Sequence, residues 1–235
     1  MKRGSRAPLG SHTIQPVTRS LPQTIAIDGP AASGKSSVSR ALAERCGYHF
    51  LDTGLMYRAF ALAAMKAGVE PSDEACERFA HEVPLRIGDE KEARIYLGKE
   101  DVTPHLHDRE IERNVSAYAR LAPVRAKLRA QQREFAARGR TVLAGRDIGE
   151  VVLPDAPLKI YLDADETARA RRRNAERGIV HETTAKESHE ELSRRDKADS
   201  PQTYIAPGAV VIDTNVLSLD EVISRVLELV SCDSD

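Results

Sequence analysis

The stretch "TIAIDGPAASGKSSVSRALAERCG", residues 24–47, constrains this chain more than any other. It opens as an apolar run suited to a buried strand. It closes as an amphipathic helix that Gly47 can terminate. Between the two lies Gly29-x-x-x-x-Gly34-Lys35-Ser36, the spacing of a phosphate-binding loop. The glycines let the backbone curl so that successive N–H groups turn inward, and the helix beginning near Lys35 adds its positive dipole end. Lys35 can reach the β- and γ-phosphates, and Ser36 can ligate Mg²⁺. The segment Gly29, Pro30, Ala31, Ala32, Ser33, Gly34, Lys35, Ser36 and Ser37 is therefore the candidate donor site. Such a loop implies a nucleoside triphosphate and leaves the acceptor open.

The rest of the chain repeats the alternation of strand and helix. "HFLDT" (49–53), "TVLAG" (141–145), "LKIYLDA" (158–164) and "AVVID" (209–213) are further strands. Helices are expected over 54–68, over 116–139 with a start near Pro123, and over 218–230 with Ser218 and Glu221 as a capping box. Residues 165–199 are Arg- and Glu-rich and helical. This order predicts a parallel sheet wrapped by helices. Residues 69–115 break the rhythm. There "LRIG" and "ARIYLG" flank the charged turn "DEKE", which suggests a hairpin in an inserted subdomain.

Charge excludes some functions. Thirty-five Lys and Arg oppose thirty-six Asp and Glu, which argues against a nucleic-acid coat or a polybasic membrane binder. No apolar run has the length of a bilayer span. Residues 1–20 carry four basic and no acidic side chains and no apolar core of the signal-peptide kind, so a disordered tail is expected. Cys46, Cys76 and Cys232 are odd in number and widely spaced, which suits a reduced, cytoplasmic protein. "HLH" at 105–107 and the His-Glu pairs at 81, 181 and 189 lack the partners of a zinc site and suit surface histidines.

Ligands of such sheets bind at the carboxyl ends of the strands. Asp52 and Thr53 follow one apolar run, Arg58 lies close behind, and Arg146 and Asp147 follow another. Each pair has two readings: helix caps or surface ion pairs, or groups aimed at a phosphate. Arg169, Arg173 and Arg177 share one helical face, and Arg194, Arg195 and Lys197 follow. They could stabilise a migrating phosphoryl group. They could equally belong to a solvated helix, since 165–199 balances nine basic against nine acidic residues.

"IDGPAASGKSS", "LDTGLMYRA", "GKEDVT", "GRDIGEVVLPDAPLKIYLDA" and "RRDKADS" together resemble the bacterial cytidylate kinases, in order from about residue 23 to residue 230. The resemblance implies the P-loop fold of an α/β protein with a five-stranded parallel sheet, an inserted monophosphate-binding subdomain and a helical lid. The division it implies is a tail at 1–22, core at 23–68, 116–164 and 200–235, the insert at 69–115 and the lid at 165–199. It implies transfer of phosphate from ATP, with Mg²⁺, to CMP or dCMP by a cytoplasmic monomer that binds no nucleic acid or membrane. By motif, Thr53, Tyr57 and Arg58 would face the monophosphate nucleotide, with Arg58 on its phosphate. Ser116, Arg125 and Asp147 would read the cytosine edge. Arg146 would bind phosphate, and Arg195 and Asp199 would act from the lid. Lys35, Arg146 and Arg195 would carry the catalysis.

Three positions depart from the family pattern. Ala144 stands where an acidic residue is common, Glu150 replaces a Thr, and Gln202 stands where an Arg is usual. Two alternatives follow: a related kinase for another monophosphate such as UMP or AMP, or a nucleotide-binding protein with weakened catalysis. A GTP switch lacks its Asn-Lys-x-Asp.

Overall fold

The near-continuous apolar run of β1 (Thr24–Asp28) requires cover on both faces, and it has it. A computed structural model describes residues 21–176, 193 and 205–230. In it β1 is the middle strand of a five-stranded parallel sheet. Its neighbours are β6 (Thr141–Gly145) and β7 (Leu158–Asp163). β2 (His49–Asp52) and β8 (Val210–Asp213) form the edges.

Successive side chains point to opposite faces and build two cores. Ile25, Ile27, Val142 and Ala144 pack with α1 (Lys35–Cys46) and α7 (Leu219–Val230). Ala26, Leu51 and Leu143 pack with α2 (Thr53–Lys66) and α5 (Ala122–Ala136). Gly47 ends α1 in a left-handed conformation with φ 69°, as its position suggests. The capping box at the start of α7 forms, with Ser218 N donating to Glu221 Oε2 at 2.7 Å and Glu221 N donating to Ser218 Oγ at 3.3 Å.

Between α2 and α5 the chain makes α3 (Asp73–Glu82), then a small antiparallel sheet of β3 (Leu85–Ile87), β4 (Ile95–Leu97) and β5 (Glu100–Asp101). The hairpin pairs Leu85 with Leu97 and Ile87 with Ile95, as expected. The third strand and α3, which Ser72 caps by accepting from Ala75 N at 3.2 Å, escaped the sequence reading.

The helix expected over 116–139 does start near Pro123, as α5, but residues 116–119 belong to a separate helix before it. α4 (Arg109–Ala119) ends before Arg120 and Leu121, and Pro123 falls in the first turn of α5. Proline has no N–H to donate to the carbonyl of Ala119. Arg125 Nη1 donates to that carbonyl instead, at 3.1 Å. Ser116 and Arg125 therefore come from different helices.

The predicted 165–199 helical segment is described only as α6 (Glu166–Glu176) and residue 193. Leu21 packs on the core and Pro22 O accepts from Tyr48 Oη at 2.8 Å, so these two residues join the folded body rather than a tail. The expectation of three reduced thiols fails at Cys46, which is disulfide-bonded, while Cys76 is free. Spacing along the chain does not reveal which thiols meet in space. Among the described residues no helix is long and apolar enough to cross a membrane.

Candidate active site

The carboxyl ends of β1, β2 and β6 open into a cavity of about 370 Å³. The phosphate loop forms one wall. Gly34 takes φ 93° and leaves the first N–H groups of α1 without a side-chain cap, which suits an anion. Gly29 has φ 151°, and a Cβ there would stand 2.3 Å from the Leu162 carbonyl oxygen. Lys35 Nζ folds back to donate to Pro30 O at 2.6 Å, with Ser33 Oγ at 3.5 Å. Ala31, Ala32 and Gly34–Ser37 line the cavity; Gly29, Pro30 and Ser33 do not.

The Ser36 hydroxyl donates to Asp52 Oδ2 at 2.6 Å. The other oxygen of Asp52 caps α2 by accepting from Gly54 N at 2.9 Å. Asp52 thus serves as the cap foreseen and also stands beside the candidate metal ligand, a role the sequence reading missed. Two hard oxygen donors side by side fit Mg²⁺, which keeps several waters and substrate oxygens of its own. They also place a carboxylate near the site that Ala144 leaves without one. Among the described residues no group of three or more metal-ligating side chains forms, and His105 and His107 are exposed.

The opposite wall carries the remaining expected residues. Thr53, Tyr57, Arg58, Ser116, Arg125, Arg146 and Asp147 all line the same cavity. Thr53 Oγ1 spends its proton on Ala144 O at 2.8 Å, so towards a ligand it offers lone pairs only. Asp147 Oδ2 accepts from Arg125 Nη2 at 2.5 Å and from Arg129 Nη2 at 2.8 Å. The Arg125 guanidinium lies 5.8 Å from the Tyr57 ring centroid. Burial pushes the Tyr57 hydroxyl up from its ordinary value, and Arg125 opposes the rise. Arg129 was missed, although it follows Arg125 by one helical turn. Arg58 is buried and donates through Nη1 to Leu106 O at 2.9 Å and Glu112 Oε1 at 3.1 Å.

Asp28, the last residue of β1, was also missed. It is 3% exposed and accepts from Ile148 N at 2.8 Å and Gly149 N at 2.7 Å. It therefore fastens the backbone just after Arg146 and Asp147 to the root of the phosphate loop. Burial raises its carboxyl to about 6, against the pull of those two hydrogen bonds.

Of the Arg stripe, Arg169 is buried and donates to Ala164 O at 3.0 Å and Ala31 O at 3.3 Å, beside the phosphate loop. Arg173 lines the cavity. The solvated-helix reading fails for these two. Arg177, Arg194, Arg195, Lys197, Asp199 and Gln202 lie outside the described residues.

A phosphate loop facing an arginine-rich wall across one cavity is the geometry of a small-acceptor kinase, and the comparisons specify which. The sequence model of the family described as cytidylate kinase matches residues 25–232. The chain belongs to the cytidylate kinase family. It is 41% identical to a cytidylate kinase of Herpetosiphon aurantiacus, over 92% of this chain and 98% of that one. It is 42% identical to those of Chloroflexus aggregans (88% of this chain, 93% of that one) and Mycobacterium leprae (88% and 94%). The chain is accordingly a P-loop phosphotransferase of the nucleoside monophosphate kinase class.

Proposed function

We propose that this chain transfers the γ-phosphoryl group of Mg-ATP to CMP and dCMP, giving CDP and dCDP. One observation carries the reading: Lys35 and Ser36 on one wall and Arg58, Arg125 and Asp147 on the other line a single cavity. The donor phosphates lie along the loop from Gly29 to Ser37, and the acceptor phosphate meets Arg58 and Arg146. Asp147 uses only Oδ2 on its arginines among the described residues. Oδ1 remains to accept from the cytosine amino group, while a guanidinium donor satisfies the ring acceptors. Tyr57 and Ser116 complete the acceptor pocket; Arg195 and Asp199, outside the described residues, are assigned as ligands from the lid segment 165–199 on their motif alone. The insert at 69–115 adds Glu92, His107 and Val115 to the lining, and the enzyme acts as a cytoplasmic monomer.

Transfer is direct and in line. The protein's part is to place two oxygens and to neutralise charge. Lys35 clamps the β- and γ-oxygens, and the arginines hold the acceptor oxygen against the γ-phosphorus. Mg²⁺ would be held by Ser36 with Asp52 behind it, and would supply charge neutralisation to the donor phosphates. The test is purified protein with Mg-ATP and, in turn, CMP, dCMP, UMP and AMP, following ADP. Turnover with CMP and dCMP at least about 100-fold more efficient than with UMP and AMP is expected. Equal rates on all four, or ADP release that needs no acceptor, would overturn it.

A further inference from the structure

Behind the cavity wall lies a buried carboxylate that the reaction as set out above does not use. Glu112 of α4 has a side chain 4% exposed and is absent from the cavity lining. Its Oε1 accepts from Arg58 Nη1 of α2 at 3.1 Å and also from Arg173 Nη2 of α6. Both arginines do line the cavity. Their side chains are 7% and 18% exposed. A carboxylate this deep needs compensating charge, and two guanidiniums this close repel unless an anion lies between them. The trio keeps one net positive charge, presented to the cavity by the arginines with the carboxylate behind them.

The three helices belong to different sides of the site. Arg58 stands on the wall assigned to the acceptor phosphate. α6 leads out of β7, and its Arg169 donates to Ala31 O of the phosphate loop at 3.3 Å, so Arg173 belongs to the donor side. Nη1 of Arg58 is committed to Leu106 O and Glu112, while its Nε and Nη2 make no hydrogen bond to a described residue. A planar guanidinium held by one nitrogen presents its other edge at a fixed angle, as bidentate phosphate recognition requires.

We propose that Glu112 is a positioning residue that sets Arg58 and Arg173 at fixed spacing and so ties the acceptor phosphate site to the donor-side helix α6. This rests on the reading of the cavity as a site for two phosphorylated ligands. A carboxylate serving only stability would alter unfolding and leave the balance of KM and kcat unmoved.

The test uses Glu112→Gln, which keeps the shape and one acceptor oxygen and removes the charge. Expected are a CMP KM raised about 10-fold, kcat lowered by no more than about 3-fold, and binding of inorganic tripolyphosphate weakened about 10-fold by calorimetry. In the ligand-free chain, amide exchange across 168–176 should quicken by about 10-fold while β1 and β6 keep their protection. Unchanged exchange in α6 overturns the proposal, and so does faster exchange with CMP KM within 2-fold of wild type. Should Glu112→Gln not fold, Arg173→Gln decides: a raised CMP KM supports the link, and a change confined to the ATP KM refutes it. A wild-type chain inactive on every monophosphate would refute the proposed reaction. Exchange in α6 and tripolyphosphate binding would still decide the role of Glu112.

Discussion

The Ser36 hydroxyl and the Asp52 carboxylate meet at 2.6 Å where α1 begins and β2 ends. The contact joins two segments sixteen residues apart. It gives this chain an acid beside the hydroxyl proposed to bind Mg²⁺, although the adjacent strand β6 ends in Ala144-Gly145. Asp52→Asn preserves an N-cap acceptor for α2 and removes the charge. Mg²⁺-dependent turnover should fall about 10- to 100-fold, with a higher Mg²⁺ concentration at half-maximal rate. Thermal stability should change by less than about 1 kcal/mol. ADP formation across a Mg²⁺ titration measures this; an unchanged Mg²⁺ requirement would remove Asp52 from the metal's surroundings.

Asp147 is the residue proposed to select the acceptor. Two arginines hold one of its oxygens, so the other is fixed in direction before any ligand arrives. Asp147→Ala removes the acceptor for an exocyclic amino group and the carboxylate that Arg125 and Arg129 share. kcat/KM for CMP should drop about 100-fold or more, while that for UMP changes far less. Retained preference for CMP over UMP would refute base reading by this residue.

The backbone frame was legible in the sequence because it is local. The apolar run of β1, the glycines of the loop, Gly47 as a terminator and the Ser218–Glu221 box each act within a few residues of themselves. The start of α5 was legible in Pro123; that residues 116–119 close a separate helix, α4, was not read. The expected residues that line the cavity were picked out through their motifs. Asp28, Glu112 and Arg129 were not, because what defines them is a partner 18 to 121 residues away. A carboxylate on a strand end or a helix face looks the same in sequence whether it faces water or two arginines.

Asp28 supplies the pH dependence. Its ionised carboxylate accepts both Ile148 N and Gly149 N, and protonation turns one oxygen into a donor facing a donor. With the carboxyl raised to about 6, CMP KM should rise as pH falls from about 7 through 6. Asp147 pushes in the same direction as burial, and Lys35 opposes it. The stability term has the opposite sign. The folded value lies above the ordinary 3.8, so Asp28 favours the folded state most below that value. This contribution is lost as pH rises through about 6. Asp28→Asn should flatten both profiles and hold CMP KM high throughout. A wild-type CMP KM that is level from pH 5 to 7.5 would refute the coupling.

Gly29 gives the most stringent test of the donor loop. Its φ of 151° lies where side-chain-bearing residues are rare, and a methyl group there would meet the Leu162 carbonyl oxygen at 2.3 Å. That oxygen belongs to β7, which is paired with β1 on one side and β8 on the other, so it has no room to yield. The loop must move instead, and its N–H groups lose their convergence on the phosphates. Gly29→Ala should weaken ATP binding at least about 100-fold by calorimetry, with far-ultraviolet circular dichroism unchanged. Gly208→Ala, at φ 77° with open space around it and no place in the site, should cost about 1 kcal/mol of stability and leave ATP binding intact. Equal effects of the two substitutions on ATP affinity would show that the Leu162 contact does not shape the loop.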